Sequence, residues 1–283
     1  MGNRGPHMVN MGNVWDRTTE FLSDNLGSVV PIALLTIFVP QSISGAIKLA
    51  GTAVTPGLGQ TIVLALLVPM LWGQLAITAL ALRPDAGRGA AQATATRRFL
   101  QALLAMLILF GVIVVLFLPI VIALVASGID LTALTSATPG PKPDISPALA
   151  GFIGLYGLVW LIFAAFVSVR FSTLLLPVIA AEGGVVAALR RSFALSRGIA
   201  WKLLGVVLLF GLVVGVASIA VTSVFGALFR FLDPTAGPFA IGSIIVAILG
   251  GLVTTAYYVV QSSFMAKVYL AAASTATATR EGM

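Results

Sequence analysis

Arg170 stands inside the apolar run VSVRFSTLLLPVIAA, and the chemistry a guanidinium does best in such a place is to hold an anion. Its planar fork of donors matches a phosphate or a carboxylate, and in hydrocarbon an uncompensated charge costs at least about 2.5 kcal/mol. Two arrangements relieve that cost. Either the long stem snorkels to the nearer surface, or polar neighbours gather around the charge. Counted along helices from the same basic surface, Gln41, Gln74 and Gln261 fall at a similar depth, and Tyr257 shares a helical face with Gln261 at spacing four. The expectation is one intramembrane cluster of Arg170, Gln41, Gln74, Tyr257 and Gln261, with Tyr258, Ser262 and Ser168 nearby in sequence. It would act as glue between helices or receive the phosphate or carboxylate of a lipid headgroup.

A second set of cations lies in EGGVVAALRRSFALSRGIAWK, residues 182–202, between two long apolar runs. Helical projection puts Val185, Val186, Leu189 and Phe193 on one stripe, Arg190 and Arg197 at its margin and Arg191 on the far side. That pattern predicts an interfacial amphipathic helix whose cations Arg190, Arg191, Arg197 and Lys202 reach anionic headgroups, each contributing on the order of 1 kcal/mol. Glu182 sits where such a helix begins, next to the positive end of its dipole. The plainer alternative is a short solvated linker.

Enzymatic chemistry lacks its parts. The nine acidic residues lie outside the apolar runs and are dispersed along the chain, the only histidine is His7, and there is no cysteine. Metal-assisted hydrolysis needs clustered carboxylates or histidines, and no Walker loop, nucleophile elbow or HExxH is present. The reading is a non-enzymatic protein with no cofactor and no metal.

The elements that must position these groups follow from composition. With 59% hydrophobic and 9% charged residues among 283, and a mean hydropathy of +1.09, the chain has too little polar surface for a water-soluble globule. The formal charge of +7 is scattered between apolar runs, which argues against nucleic acid as a partner. Runs near 28–48, 60–82, 99–127, 148–180, 201–229 and 239–270 are each long enough to span a bilayer as a helix. Short alternating strands are absent, so a transmembrane barrel is excluded. The expected fold is all-α, a polytopic transmembrane bundle of about six spans with amphipathic interfacial helices on the cytoplasmic side.

Orientation follows from the cations. Arg4, Arg17, Arg83, Arg88, Arg97, Arg98, Arg190, Arg191, Arg197, Lys202, Lys267 and Arg280 collect on one side, against Lys48, Lys142 and Arg230 on the other. The positive-inside rule then places both termini in the cytoplasm and the connections at 49–59, 128–147 and 230–238 outside. Gly5-Pro6-His7-Met8 resembles the scar of a cleaved tag, so residues 1–10 are set aside and 11–283 are read as a single membrane domain. VWDRTTEFLSDNLG, QATATRRFLQ and the 182–202 segment each precede a pair of spans, which suggests three similar units. Pro31, Pro40, Pro69, Pro119 and Pro177 interrupt the spans, as in transporters and plain bundles alike.

The residues Arg170, Pro177, Glu182, Ala188, Arg191, Ser192, Leu195, Gly198, Trp201 and Lys202 resemble the signature of the glycerophosphoryl diester phosphodiesterase membrane-domain family. That resemblance covers some thirty residues of motif and a six-span layout over most of the chain. It implies a stand-alone bacterial inner-membrane module without the soluble catalytic barrel that performs hydrolysis in fused members. It also implies a lipid-associated role, with Arg170, Pro177, Glu182, Arg191, Ser192 and Trp201 as the matching positions. The partners expected are membrane lipids with anionic headgroups, together with a protein partner or a second copy of the chain. The competing expectation is a small-molecule or lipid transporter with a polar path around Arg170.

Overall fold

Long apolar sequence in a lipid setting leaves the backbone no partner but itself, and every described element of the computed structural model is helical. The structure describes residues 10–51, 54–129, 145–232 and 240–281. The leading residues 1–9, most of the 128–147 and 230–238 connections, and Arg4 and Lys142 lie outside them. Six stretches are long and apolar enough to cross a bilayer: Met11–Ala50, Gly57–Leu82, Pro84–Ala126, Pro147–Ala181, Ala200–Leu232 and Ile241–Ala276.

Helix α1 (Met11–Ala33) runs through a π turn (Leu34–Phe38) into α2 (Val39–Ala50), and α3 (Pro56–Leu82) returns beside them. A 3-10 turn (Pro84–Ala86) leads into the long α4 (Gly87–Ala126). Next, α5 (Pro147–Val167) passes through a π turn (Ser168–Ser172) into α6 (Thr173–Ala181). The short α7 (Val185–Leu195) is followed by α8 (Ala200–Ala220), a third π turn (Val221–Phe225) and α9 (Gly226–Leu232). Helix α10 (Ile241–Glu281) ends the bundle.

Two of the three expected entry segments are not separate helices. Residues 11–27 and 87–98 are the first turns of the rods that become the first and third spans. Only the third, α7, is set off, because Gly183 and Gly184 adopt φ of 74° and 78°, a conformation that ends a helix and that other residues enter at a cost. The prolines at 31, 69, 119 and 177 remain inside helices rather than breaking them.

The core gathers at the end of the bundle where α1 begins and α3, α6 and α10 end. There Phe21, Leu75, Leu80, Leu175, Ile179, Phe264 and Val268 are buried against one another. Lys267 Nζ donates to Ala81 O at 2.9 Å, capping the last turn of α3, and lies 4.8 Å from the Phe21 ring centre. Elsewhere small residues bring backbones together: a Cβ on Gly251 would meet Ser42, and Gly45 lies against Ala247, so α2 and α10 run antiparallel in close contact. By contrast α5 and α8 turn Leu155, Ile162, Leu208 and Leu212 outward. Apolar surface of that extent is what a lipid environment accommodates and water does not.

Candidate functional site

The Ser168–Ser172 turn organises the site. A π turn bonds residue i to i+5, and here the Thr173 N–H donates to Ser168 O. The carbonyls of Arg170 and Phe171 are used a second time by α7. Ser192 Oγ donates to them at 3.2 and 2.9 Å, and Ser196 Oγ reaches Arg170 O at 3.3 Å. Both serines are completely buried. Helix α7 is therefore seated on the turn by hydroxyl-to-carbonyl bonds, which Ala188 permits by letting the backbones close.

That seat narrows the face expected for α7. The buried residues are Ala188, Ser192 and Leu195, whereas Val186 is 60% exposed. Val185 and Leu189 pack partly against the core and Phe193 stacks on Phe171, while the seat itself is made by small residues that a projection weighing only hydrophobicity does not pick out. Arg191 is accordingly not on a free far side. Its Nε donates to Glu182 Oε1 at 3.3 Å, and the same oxygen accepts from Tyr269 Oη at 2.8 Å. Arg190, Arg197 and Lys202 are exposed, and Trp201, in the first turn of α8, is 85% exposed.

The link from α6 to α7 is held from α4. Gln101 Oε1 accepts from the Gly184 N–H at 3.1 Å and from Arg98 Nη1 at 3.3 Å. The Arg98 guanidinium lies so close over Gly183 that a Cβ there would run into it. Sequence reasoning uses Arg98 only for orientation and passes over Gln101, Tyr269 and Ser196. The Gly-Gly pair was the available signal, since it marks a turn that some neighbour must satisfy.

Arg170 turns toward α7. Its guanidinium carbon lies 5.1 Å from the Phe193 ring centre and 5.6 Å from that of Phe166, while Arg197 approaches Phe193 to 5.7 Å. Phe193 in turn stacks on Phe171 at 5.4 Å. Nε and Nη1 of Arg170 are buried and have no hydrogen-bond partner, and among the described residues the one ion pair is Arg191 with Glu182. Two guanidinium groups thus meet on one ring with no carboxylate between them. Ring faces attract cations but accept no N–H bond of ordinary strength, so Nε and Nη1 of Arg170 remain unsatisfied.

The other side of the turn faces a cavity of about 230 Å³, whose lining includes Gln74, Thr78, Ser168, Thr173, Gln261 and Ser262, with Pro177 at its wall. Ser168 and Thr173, five residues apart, share a face of the π turn, while Arg170 is directed roughly half a turn away. The expected cluster is therefore divided. Gln74 and Gln261 border the same cavity, while Tyr257, Arg170 and Gln41 are not among its lining residues. Ser42 packs opposite Gly251, about 15 Å along α10 from Gln261, so Gln41 stands nearer the other end of the bundle. Its depth was miscounted because α1 starts at Met11 rather than near residue 28. The Tyr257 ring itself borders an apolar groove of about 670 Å³ between α8 and α10 and meets Phe210 edge-on.

No protein-family model, curated protein or solved structure matches the chain. Its chemistry rests on its own residues. Arg170, Glu182, Arg191 and Ser192, four positions of the motif, all take part in seating α7, and Pro177 connects that seat to the cavity.

Proposed function

We propose that the protein is a non-enzymatic module of the bacterial inner membrane that engages the phosphate groups of anionic lipids through α7 and the arginine beneath it. The observation that carries this reading is the convergence of Arg170 and Arg197 on Phe193 with no carboxylate paired to either and with two Arg170 nitrogens unsatisfied. A low-dielectric site holding two cations and free N–H donors favours an anion, and the guanidinium fork suits a phosphate. Exposed Arg190 and Lys202 extend the same charge along that end, and Trp201 has the amphipathic ring that favours a headgroup boundary. The distribution of cations supports a cytoplasmic position for this end and for both termini. The motif resemblance supports a lipid-associated module without hydrolytic activity.

Native mass spectrometry of the purified full chain, released from mixed phosphatidylglycerol and phosphatidylethanolamine, tests the proposal. At about 1 kcal/mol per cation, replacing Arg170, Arg190 and Arg197 together with Gln lowers affinity for the anionic lipid on the order of a hundredfold and leaves the zwitterionic lipid unchanged. Equal retention of both lipids by the wild-type chain would discard the reading.

A further inference from the structure

The cavity behind the turn calls for a different ligand. Its polar lining consists of amides and hydroxyls from α3, from α10 and from either edge of the π turn, and no acidic or basic side chain borders it. Such groups between helices ordinarily pair with one another. Here Thr78 Oγ1, on a residue 1% exposed, has no partner, and no hydrogen bond of the Gln74 amide is found among the described residues. Nor is a hydrogen bond of the Gln261 amide found among the described residues, so its donors and acceptor face the cavity unused.

We infer that this cavity binds a small uncharged polyol within the membrane domain. The volume of about 230 Å³ equals roughly seven waters, enough for a molecule of several heavy atoms. Gln amides and Thr and Ser hydroxyls both donate and accept, which is what a ring of ligand hydroxyls requires. Met106, Met265 and Leu176 cover its carbon backbone. A charged solute would enter without a counter-charge, since Arg170 faces the other way, and an acyl chain would strand the amides and Thr78. Val207 of α8 forms one wall, and the apolar window of that stretch is the least buried of the six, so the lateral wall is also the least packed.

Saturation-transfer NMR on the full chain in detergent, with erythritol as the probe, decides the matter. The expected result is transfer to erythritol protons and none to tartrate or choline of comparable size. The double substitution Gln74→Leu with Gln261→Leu abolishes the transfer, and Thr78→Val weakens it at least twofold. Arg170→Gln and Arg197→Gln leave it intact, which separates this site from the lipid-phosphate site. Absence of transfer to erythritol means a cavity that holds water only and overturns the inference. Transfer of equal size to tartrate, or from a folded Gln74→Leu/Gln261→Leu chain, overturns it as well. The comparison of erythritol with the ions needs no variant and stands even where the double substitution fails to fold.

Discussion

On its α7 side the Ser168–Ser172 turn offers carbonyls to two buried serines and sends Arg170 between two phenylalanine rings; on its cavity side it offers Ser168 and Thr173 to a space bordered by neutral amides. The two sides are a few ångströms of backbone apart and differ in kind. An unpaired charge in hydrocarbon costs at least about 2.5 kcal/mol, while an interhelical hydrogen bond between neutral groups contributes about 0.6 kcal/mol. Charge is accordingly kept toward the basic end, where the amphipathic helix sits, and the interior carries only groups that a membrane tolerates uncharged. A π turn permits this because residues two apart leave it on roughly opposite sides while residues five apart share a side.

The largest effect is expected where α7 is seated. Ser192→Leu adds volume to a fully buried position and removes the second hydrogen bond that α7 gives to the Arg170 and Phe171 carbonyls through Ser192. Overpacking and lost hydrogen bonds together cost about 3 kcal/mol, read as reduced stability in mixed-micelle unfolding and faster hydrogen exchange over residues 185–196. Ser192→Ala costs about 1 kcal/mol. Wild-type stability in the Leu variant would mean that α7 is not docked, and the division between the two sides would fall with it.

Next comes a change of opposite sign. Arg170→Met keeps an unbranched flexible stem, shorter than that of arginine, and removes a charge with no carboxylate partner among the described residues, so stability in nonionic detergent rises by about 2 kcal/mol while anionic-lipid retention falls. A loss of stability would instead reveal that the guanidinium holds the fold together.

These two residues also show what the sequence could reveal. Six apolar runs and the absence of alternating strands were enough for the all-α, six-span fold, since bilayer thickness sets helix length regardless of tertiary detail. Arg170 stood out by cost alone. What could not be read was direction: depth counting brought Gln74 and Gln261 to one layer, but it ignored that Arg170 leaves its helix on another face and that α1 begins well before the apolar run near Gln41. Nor does periodicity reveal a π turn, which shifts the register of every later residue. Ser192 stands out only as a motif position and Ser196 not at all, and the carbonyls they meet give both their meaning.

On the cavity side the changes are smaller. Gln261→Leu removes an amide that borders the cavity, so its effect on unfolding stays within about 0.6 kcal/mol. Erythritol binding weakens sharply nonetheless. A loss several times larger, with binding unchanged, would make the glutamine structural glue and erase the contrast with the α7 side.

The smallest effect belongs to the ion pair. Glu182 and Arg191 face each other at 3.3 Å with side chains 41% and 30% exposed, a setting in which salt and water screen most of the attraction. Arg191→Gln is therefore expected to cost no more than about 0.5 kcal/mol, and the difference from wild type should vanish in high salt. Glu182 keeps its bond from Tyr269, and the Gly183–Gly184 turn keeps its support from Arg98 and Gln101, so the seat of α7 outlasts the loss. Should Arg191→Gln instead destabilise as much as Ser192→Leu, the helix would be held by charge rather than by hydroxyls on carbonyls. The cations of α7 would then be part of its own anchoring, and fewer of them would be available to a lipid phosphate.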